Sequence, residues 1–260
     1  MSKHSKDIPP VYVWNVPPRS LMHRKTKPLQ PRASSRQKLG HQQIRDPNKT
    51  TRNRLIEVAL DDFATRGYDG TTTRQLAKHA GATIQAIQYH FGSKEGLYGA
   101  AIDQVILHLE KCLGLISKRI HFELEHRKPS QKELTHLLTQ FFDAFVLALI
   151  GNDDSDKRRS LINRAEIERS IALAPLFEAM RRLAIKPCAS IIGRLTHSSA
   201  NSQETLVRTL ALLGQVTIFC NKPARHALDR PQMKQSEMRL IRNIVQENVR
   251  MIFSKKKKPQ

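Results

Sequence analysis

The sequence predicts an all-α protein, on three observations. Leu, Ala, Ile, Arg, Lys, Gln and Glu, which lose least on entering a helix, recur throughout the 260 residues. Aromatic residues make up only 5% of a chain that is 39% hydrophobic, which suits a helical core better than a strand-rich one. From Thr50 onward, apolar side chains fall at three- and four-residue spacing between Gly, Pro and Ser/Thr punctuation.

Residues 1–47 stand apart. Pro9, Pro10, Pro17, Pro18, Pro28, Pro31 and Pro47 alternate with Lys and Arg without helical periodicity. Such a segment buries too little apolar surface to offset its chain entropy, so a disordered basic arm is expected. Its one apolar island is Val11-Tyr12-Val13-Trp14, and Met22 is an alternative start.

Thr50 or Thr51 is expected to cap a first helix carrying the stripe Leu55, Ile56, Ala59, Leu60 and Phe63, with Gly67 ending it. Tyr68-Asp69-Gly70 makes a turn, and Thr71 to Thr73 cap a second helix, roughly 73–80, which Gly81 breaks. Thr83 caps a short third helix ending near His90, and Ser93 caps a fourth. Two short helices joined by a tight glycine turn, packed on a longer first helix, form a helix-turn-helix unit, placed at 48–108. Leu76 and Ala77 on the second helix, with Ile84 and Ile87 on the third, are expected to fix the crossing, and Ala82 keeps the turn small.

Beyond Gly99 the pattern stays helical, with helices near 94–126, 131–150, 157–170, 173–196, 202–221 and 234–253. Pro129, Gly151, the Ser198 to Ser202 run and Pro231 separate them, giving a helical bundle over 109–254. The last two carry the stripes Leu206, Leu210, Leu213 and Val216, then Met238, Ile241, Val245, Val249 and Ile252. These face either a second subunit or their own core. A basic tail, 255–260, contains Lys255 to Lys258 and reads as a phosphate-attracting or merely solvated segment.

The net charge of +21 and pI near 10.4 point to a polyanionic partner, with nucleic acid first and an anionic membrane surface second. The N-terminus lacks the continuous apolar stretch of a signal peptide. The most apolar run, Phe141 to Ile150, is interrupted by Asp143 and falls short of the roughly 20 residues that span a bilayer. A soluble, cytoplasmic protein without a membrane partner is expected. Cys112, Cys188 and Cys220 are odd in number and widely spaced, so they read as buried, reduced thiols. Asn152, Asp153, Asp154 and Asp156 lack the calcium-loop pattern and read as a helix-capping loop. With no GxSxG, no phosphate-binding glycine loop and no His/Cys/carboxylate array, neither an enzyme nor a metal site is expected.

The stretch Thr72 to Phe91, TTRQLAKHAGATIQAIQYHF, followed by GSKEGLYGA, resembles the DNA-binding domain of the TetR family. That pattern has a threonine-capped second helix, an IA-x-x-A-G-V turn, a Y-x-H-F ending and an S-K-E-x-L opening to helix four. Ala77, Ala80, Gly81, Tyr89, His90, Phe91, Ser93, Lys94, Glu95 and Leu97 are in register, whereas Leu76, Ala82 and Ile84 are small or apolar exchanges. Further on, Asn163-Arg164-Ala165-Glu166, Pro175-Leu176-Phe177 and Leu212-Leu213-Gly214-Gln215-Val216 resemble the C-terminal domain of a CerR-type subgroup.

The resemblance implies a sequence-specific transcriptional regulator, a homodimer on a palindromic double-stranded operator. It implies a repressor relieved by an unknown small-molecule effector, with no other cofactor. Helix three would enter the major groove, with Gln85 and Gln88 reading adenine edges and Thr83 and Ala86 offering methyls to thymine. Thr72, Thr73, Ser93 and Lys94 would present hydroxyls, an ammonium and helix N-termini to phosphates, and Lys49, Arg52 and Arg54 would reach them from helix one. Tyr89 and His90 would touch the backbone, with core packing the alternative for Tyr89. Arg74 and Lys78 read as phosphate contacts or a solvated face.

Across the two-fold axis the resemblance places Leu206, Leu210, Leu213, Met238, Ile241, Val245 and Val249. Phe141, Phe142, Phe145, Met180, Gln215 and Phe219, with His108 or Cys112, either line the effector pocket or are plain core. Helix four, from Ser93, is the lever between the halves. The rival is an architectural, largely sequence-independent DNA-binding protein without ligand control, which a defined operator footprint would exclude.

Overall fold

A computed structural model describes residues 47–151, 154–168, 170–220 and 234–253, with positions 224 and 227. The basic arm before residue 47 and the lysine tail lie outside the described residues. The helices are α1 (Pro47–Arg66), α2 (Thr73–His79), α3 (Ile84–Phe91), α4 (Lys94–His126), α5 (Gln131–Ile150) and α6 (Asp154–Ile167). They continue as α7 (Ala174–Met180), α8 (Lys186–Leu195), α9 (Gln203–Thr217) and α10 (Gln235–Phe253), with no strand among the described residues. The fold is all-α.

Capping follows the sequence closely. Thr72 and Gln75 form a capping box on α2, Ser130 and Glu133 form another on α5, and Thr83, Ser93 and Ser202 cap α3, α4 and α9. Two boundaries move. α1 starts at Pro47 rather than after a Thr50 or Thr51 cap, because proline's fixed φ and missing N–H suit a first helical turn. α6 starts at Asp154, so Asp154 and Asp156 lie inside a helix and not in a capping loop.

α4 runs 33 residues, about 50 Å at the helical rise, and belongs to both halves. Leu97, Tyr98 and Ala101 pack near α1, and Leu109, Leu113, Ile120 and Leu124 extend the same buried face into the bundle. The boundary expected at 108/109 therefore falls inside one continuous helix. α6 lies along α1 and provides a second connection.

α5 is the centre of the bundle, packed against α4, α8 and α10. Its 20 residues are long and apolar enough to cross a membrane, beyond what the Phe141 to Ile150 run suggested, yet its apolar face is buried inside the protein. Phe141, Phe142 and Phe145 are fully buried, with ring centroids 5.5, 5.8 and 6.3 Å apart.

Between α7 and α8 the expected single helix, 173–196, widens into a π-helical turn, Arg181–Ile185, in which the Lys186 N–H bonds to the Arg181 carbonyl. Pro187 explains it: proline has no N–H for the Leu183 carbonyl, and its ring crowds that oxygen. That carbonyl accepts a hydrogen bond from the Ser117 hydroxyl of α4, at 2.7 Å.

Candidate nucleic-acid interface

The turn between α2 and α3 is built from hydrogen bonds as much as from apolar packing. Ala80 caps α2, Gly81 adopts φ +57°, and the N–H groups of Gly81 and Ala82 bond to the carbonyls of Lys78 (3.2 Å) and Ala77 (2.9 Å). This reverse-capped glycine turn aims α3 away from α2. Asp62 on α1 holds the other side, bonding Arg66 at 2.7 Å and His79 of α2 at 2.8 Å. The buried Thr71 hydroxyl donates to the Gly67 carbonyl at 2.7 Å.

α3 is anchored through Ile87, its one fully buried residue, and presents the rest of its surface outward. Gln85, Gln88 and Tyr89 are exposed at i, i+3 and i+4, so they share one face, with Tyr89 78% exposed and edge-on to His90. Tyr89 is thus not a core residue. Thr83 is exposed, and Ala86 and His90 are half-buried. Ile84 is 48% exposed, against the expectation that it fixes the crossing. Nothing in its residue type separated it from Ile87; only its angular position on an eight-residue helix did.

Around this face, Thr72 and Ser93 use their hydroxyls to cap α2 and α4, and Thr73 is half-buried in the first turn of α2. Arg52 is exposed, with its guanidinium 5.4 Å from the centre of the Phe91 ring. Arg54 bonds Thr51, and Arg74 and Lys78 are exposed. Lys49 is on α1, with its side chain outside the described residues.

Lys94 is placed differently from the expected phosphate anchor. Its ammonium donates to the carbonyls of Tyr68 (3.0 Å) and Thr71 (3.1 Å) and sits 4.0 Å from the centre of the Tyr68 ring. Two of its three donors therefore fasten the α1–α2 turn to α4. Next to it, the Tyr68 hydroxyl donates to Glu95. That bond holds the Glu95 carboxyl down at about 2, and burial, followed by Glu95 itself, pushes the Tyr68 phenol up.

Residues 55–101, spanning these elements, match the family described as bacterial regulatory proteins, tetR family. Residues 134–254 match the C-terminal domain of the HTH-type transcriptional dual regulator CecR. The chain belongs to the TetR family. The second match covers the region in which the sequence resembles a CerR-type C-terminal domain. The CecR regulator of Shigella flexneri is 26% identical over 172 residues, 65% of this chain and 74% of that protein. The regulator RutR of Escherichia coli is 38% identical over 52 residues, 20% of this chain and 24% of RutR. A TetR-like transcriptional regulator from Rhodococcus sp. RHA1 shares the fold, with a TM-score of 0.57 at 17% identity, covering 81% of this chain and 100% of that one. As a TetR-family member, this protein is a DNA-binding transcriptional regulator and not an enzyme.

In the C-terminal half of this TetR-family chain, the residues singled out for the pocket and interface divide. Phe141, Phe142 and Phe145 fill the core. Met180 and Phe219 are half-buried against it, and Gln215 accepts a hydrogen bond from Asn248 of α10 at 3.1 Å. His108 bonds the Ala148 carbonyl at 3.0 Å, with Cys112 3.7 Å away. An open cavity of about 1030 Å³ lies elsewhere, between α4 and the α7–α8 segment, and none of these residues lines it. Burial pushes the thiols of Cys112 and Cys188 up, away from thiolate chemistry.

The expected interface stripe on α10 turns inward. Ile241, Val245 and Val249 are buried against the bundle, and Met238 is half-buried. On α9, Leu213 is buried, whereas Leu206 and Leu210 are exposed. The outward apolar residues are Leu206, Val207 and Leu210 on α9 and Leu240, Ile244, Met251 and, at the end of the expected stripe, Ile252 on α10. A helix of 3.6 residues per turn places 240, 244 and 251 on one side and 241, 245 and 249 on the other.

Proposed function

We propose that this TetR-family regulator acts as a homodimeric repressor that binds a palindromic operator and is released by a small-molecule effector. The observation that carries the reading is the outward face of α3, where Gln85, Gln88 and Tyr89 lie together on a helix whose single buried anchor is Ile87. A glutamine amide donates and accepts at once, matching the N6/N7 edge of adenine, and the exposed Ile84 with Thr83 and the half-buried Ala86 offers methyl contacts to thymine. No Arg or Lys lies on α3 to grip guanine, so the operator is rich in A·T at its contacted positions. Arg52, Thr72, Thr73, Ser93, His90 and, by its place on α1, Lys49 supply backbone contacts.

Dimerisation uses the exposed apolar faces of α9 and α10, which an isolated chain leaves in water. A two-fold pairing of these faces fits a two-fold operator. Repression needs only that the dimer occupy a promoter, with no added surface for recruiting polymerase. Release is a population shift: effector held in the bundle favours a dimer whose two α3 helices no longer match the roughly 34–36 Å spacing of successive major grooves. α4 and α6 both join the bundle to the DNA-binding half and carry that shift.

One observation favours the rival reading: residues 1–46 hold ten Lys and Arg against two Asp, a sequence-blind source of DNA affinity. Selection from a random DNA pool at physiological salt decides. Enrichment of one A·T-containing palindrome supports the operator-bound dimer, and unenriched DNA supports the architectural protein.

A further inference from the structure

The cavity between α4 and the α7–α8 segment lies where Pro187 opens the helix into its π turn. At about 1030 Å³ it is at the upper end of small-molecule pockets. Its apolar lining comes from Ile120 and Leu124 of α4 and from Leu183 and Pro187 across from them, all buried.

Among the charged lining residues cations predominate, and the charges are unequally matched. Arg182 is paired with Glu110 at 2.6 Å, and His121 contacts Glu125 at 3.2 Å, which accounts for both lining carboxylates. Lys118, Lys186 and Arg194 also line the cavity, and among the described residues none of the three has a carboxylate in ion-pair contact. Arg194 spends one N–H on the Leu124 carbonyl at 2.8 Å, which orients the guanidinium without neutralising it. Three cations without a close ion-pair partner, Lys186 with only the longer-range field of Glu178, around an apolar lining favour a ligand with a negative head and an apolar body.

We propose that this cleft is the effector site and that its ligand is an organic anion, a carboxylate or sulfonate on a compact apolar body. This rests on the effector-controlled reading above. Lys118 and Lys186 hold the anion from the two walls, and Leu124 and Leu183 take the apolar body. Because Lys118 lies on α4, whose first turn is in the DNA-binding half, the anion acts on the helix that the two halves share.

The test is calorimetric titration of the full chain, without DNA, using octanoate and 2-naphthoate against their neutral amides. At least one acid is expected to bind saturably below about 1 mM, with its amide at least about tenfold weaker. The double variant K118Q/K186Q is expected to bring the acid down to the level of the amide while leaving helical content and Tm unchanged. Failure of both acids to saturate, equal binding of acid and amide, or unchanged binding by the double variant overturns the assignment. Addition of the same acid to the complex with selected DNA then separates the two readings. Binding at the cleft without DNA release removes the effector role and leaves the anion site standing.

Discussion

The Glu168 carboxylate, just beyond α6, accepts the backbone N–H of Tyr68, just beyond α1, with its two oxygens at 3.1 and 3.3 Å. The residues are 100 positions apart in sequence. Gly67 makes the approach feasible, because a Cβ there would lie 2.0 Å from a Glu168 oxygen and its φ is +77°. Arg164 to the Thr65 carbonyl (3.3 Å) and Lys157 to Asp61 (2.8 Å) extend the same seam.

Gly67→Ala is expected to destabilise the protein by about 1–2 kcal/mol through the left-handed backbone alone, and by more through the clash with Glu168. Glu168→Ala removes the clash and the hydrogen bond together. In a double-mutant cycle by chemical denaturation, G67A should therefore cost less in the E168A background. Strictly additive losses would mean that the seam does not bear on Gly67.

Gln85→Ala is expected to cost about 1–3 kcal/mol of discrimination at one operator position and little on random DNA. Binding measured on matched and single-substituted operators checks this; an equal loss on all sequences would assign Gln85 to the phosphates.

Lys94→Met is expected to act on stability first. Leaving the Tyr68 and Thr71 carbonyls without their donor costs about 1–3 kcal/mol, visible as a lower Tm. The dependence of DNA affinity on salt should keep its slope, whereas loss of a true phosphate contact would reduce the slope by about one.

The Tyr68–Glu95 pair sets an acid limb of the stability curve. Glu95 is held at about 2, below its ordinary 4.5, so its contribution is present above pH 4.5 and fades as pH falls towards 2. Tyr68 is shifted upward, so its part is present below the ordinary phenol range and is lost in alkali. Tyr68→Phe should flatten the acid limb, read by denaturation between the two carboxylate values. An unchanged slope would place the acid sensitivity elsewhere.

Leu210→Glu or Ile244→Glu is expected to give a monomer in sedimentation while keeping the helical spectrum. Ile241→Ala should instead lose about 2–5 kcal/mol of stability and stay a dimer. The opposite pattern would restore the inward-facing stripe to the interface.

The helix-turn-helix was legible in detail because its signals are local: a threonine cap, a glycine with positive φ, a serine cap, each acting within four residues. The bundle was less so. Ile241 and Ile244, or Ile84 and Ile87, are alike in composition, and which one faces out depends on the direction of the neighbouring helix. The bonds of Lys94 were hidden for the same reason, since its acceptors at Tyr68 and Thr71 become neighbours only when α4 folds back on the α1–α2 turn. The cavity depended on Pro187, whose effect falls on a carbonyl four residues back and on a hydroxyl of another helix.

That hydroxyl restricts how α4 can move. The Leu183 carbonyl accepts the Ser117 hydroxyl at 2.7 Å, and the neighbouring turns of α4 carry Leu113 and His121 in place of Ser117. An axial slip of α4 by a whole turn would break that bond, whereas a swing about Ser117 would keep it. With that bond kept, a tilt of α4 about Ser117 would move the two ends of a helix about 50 Å long in opposite directions.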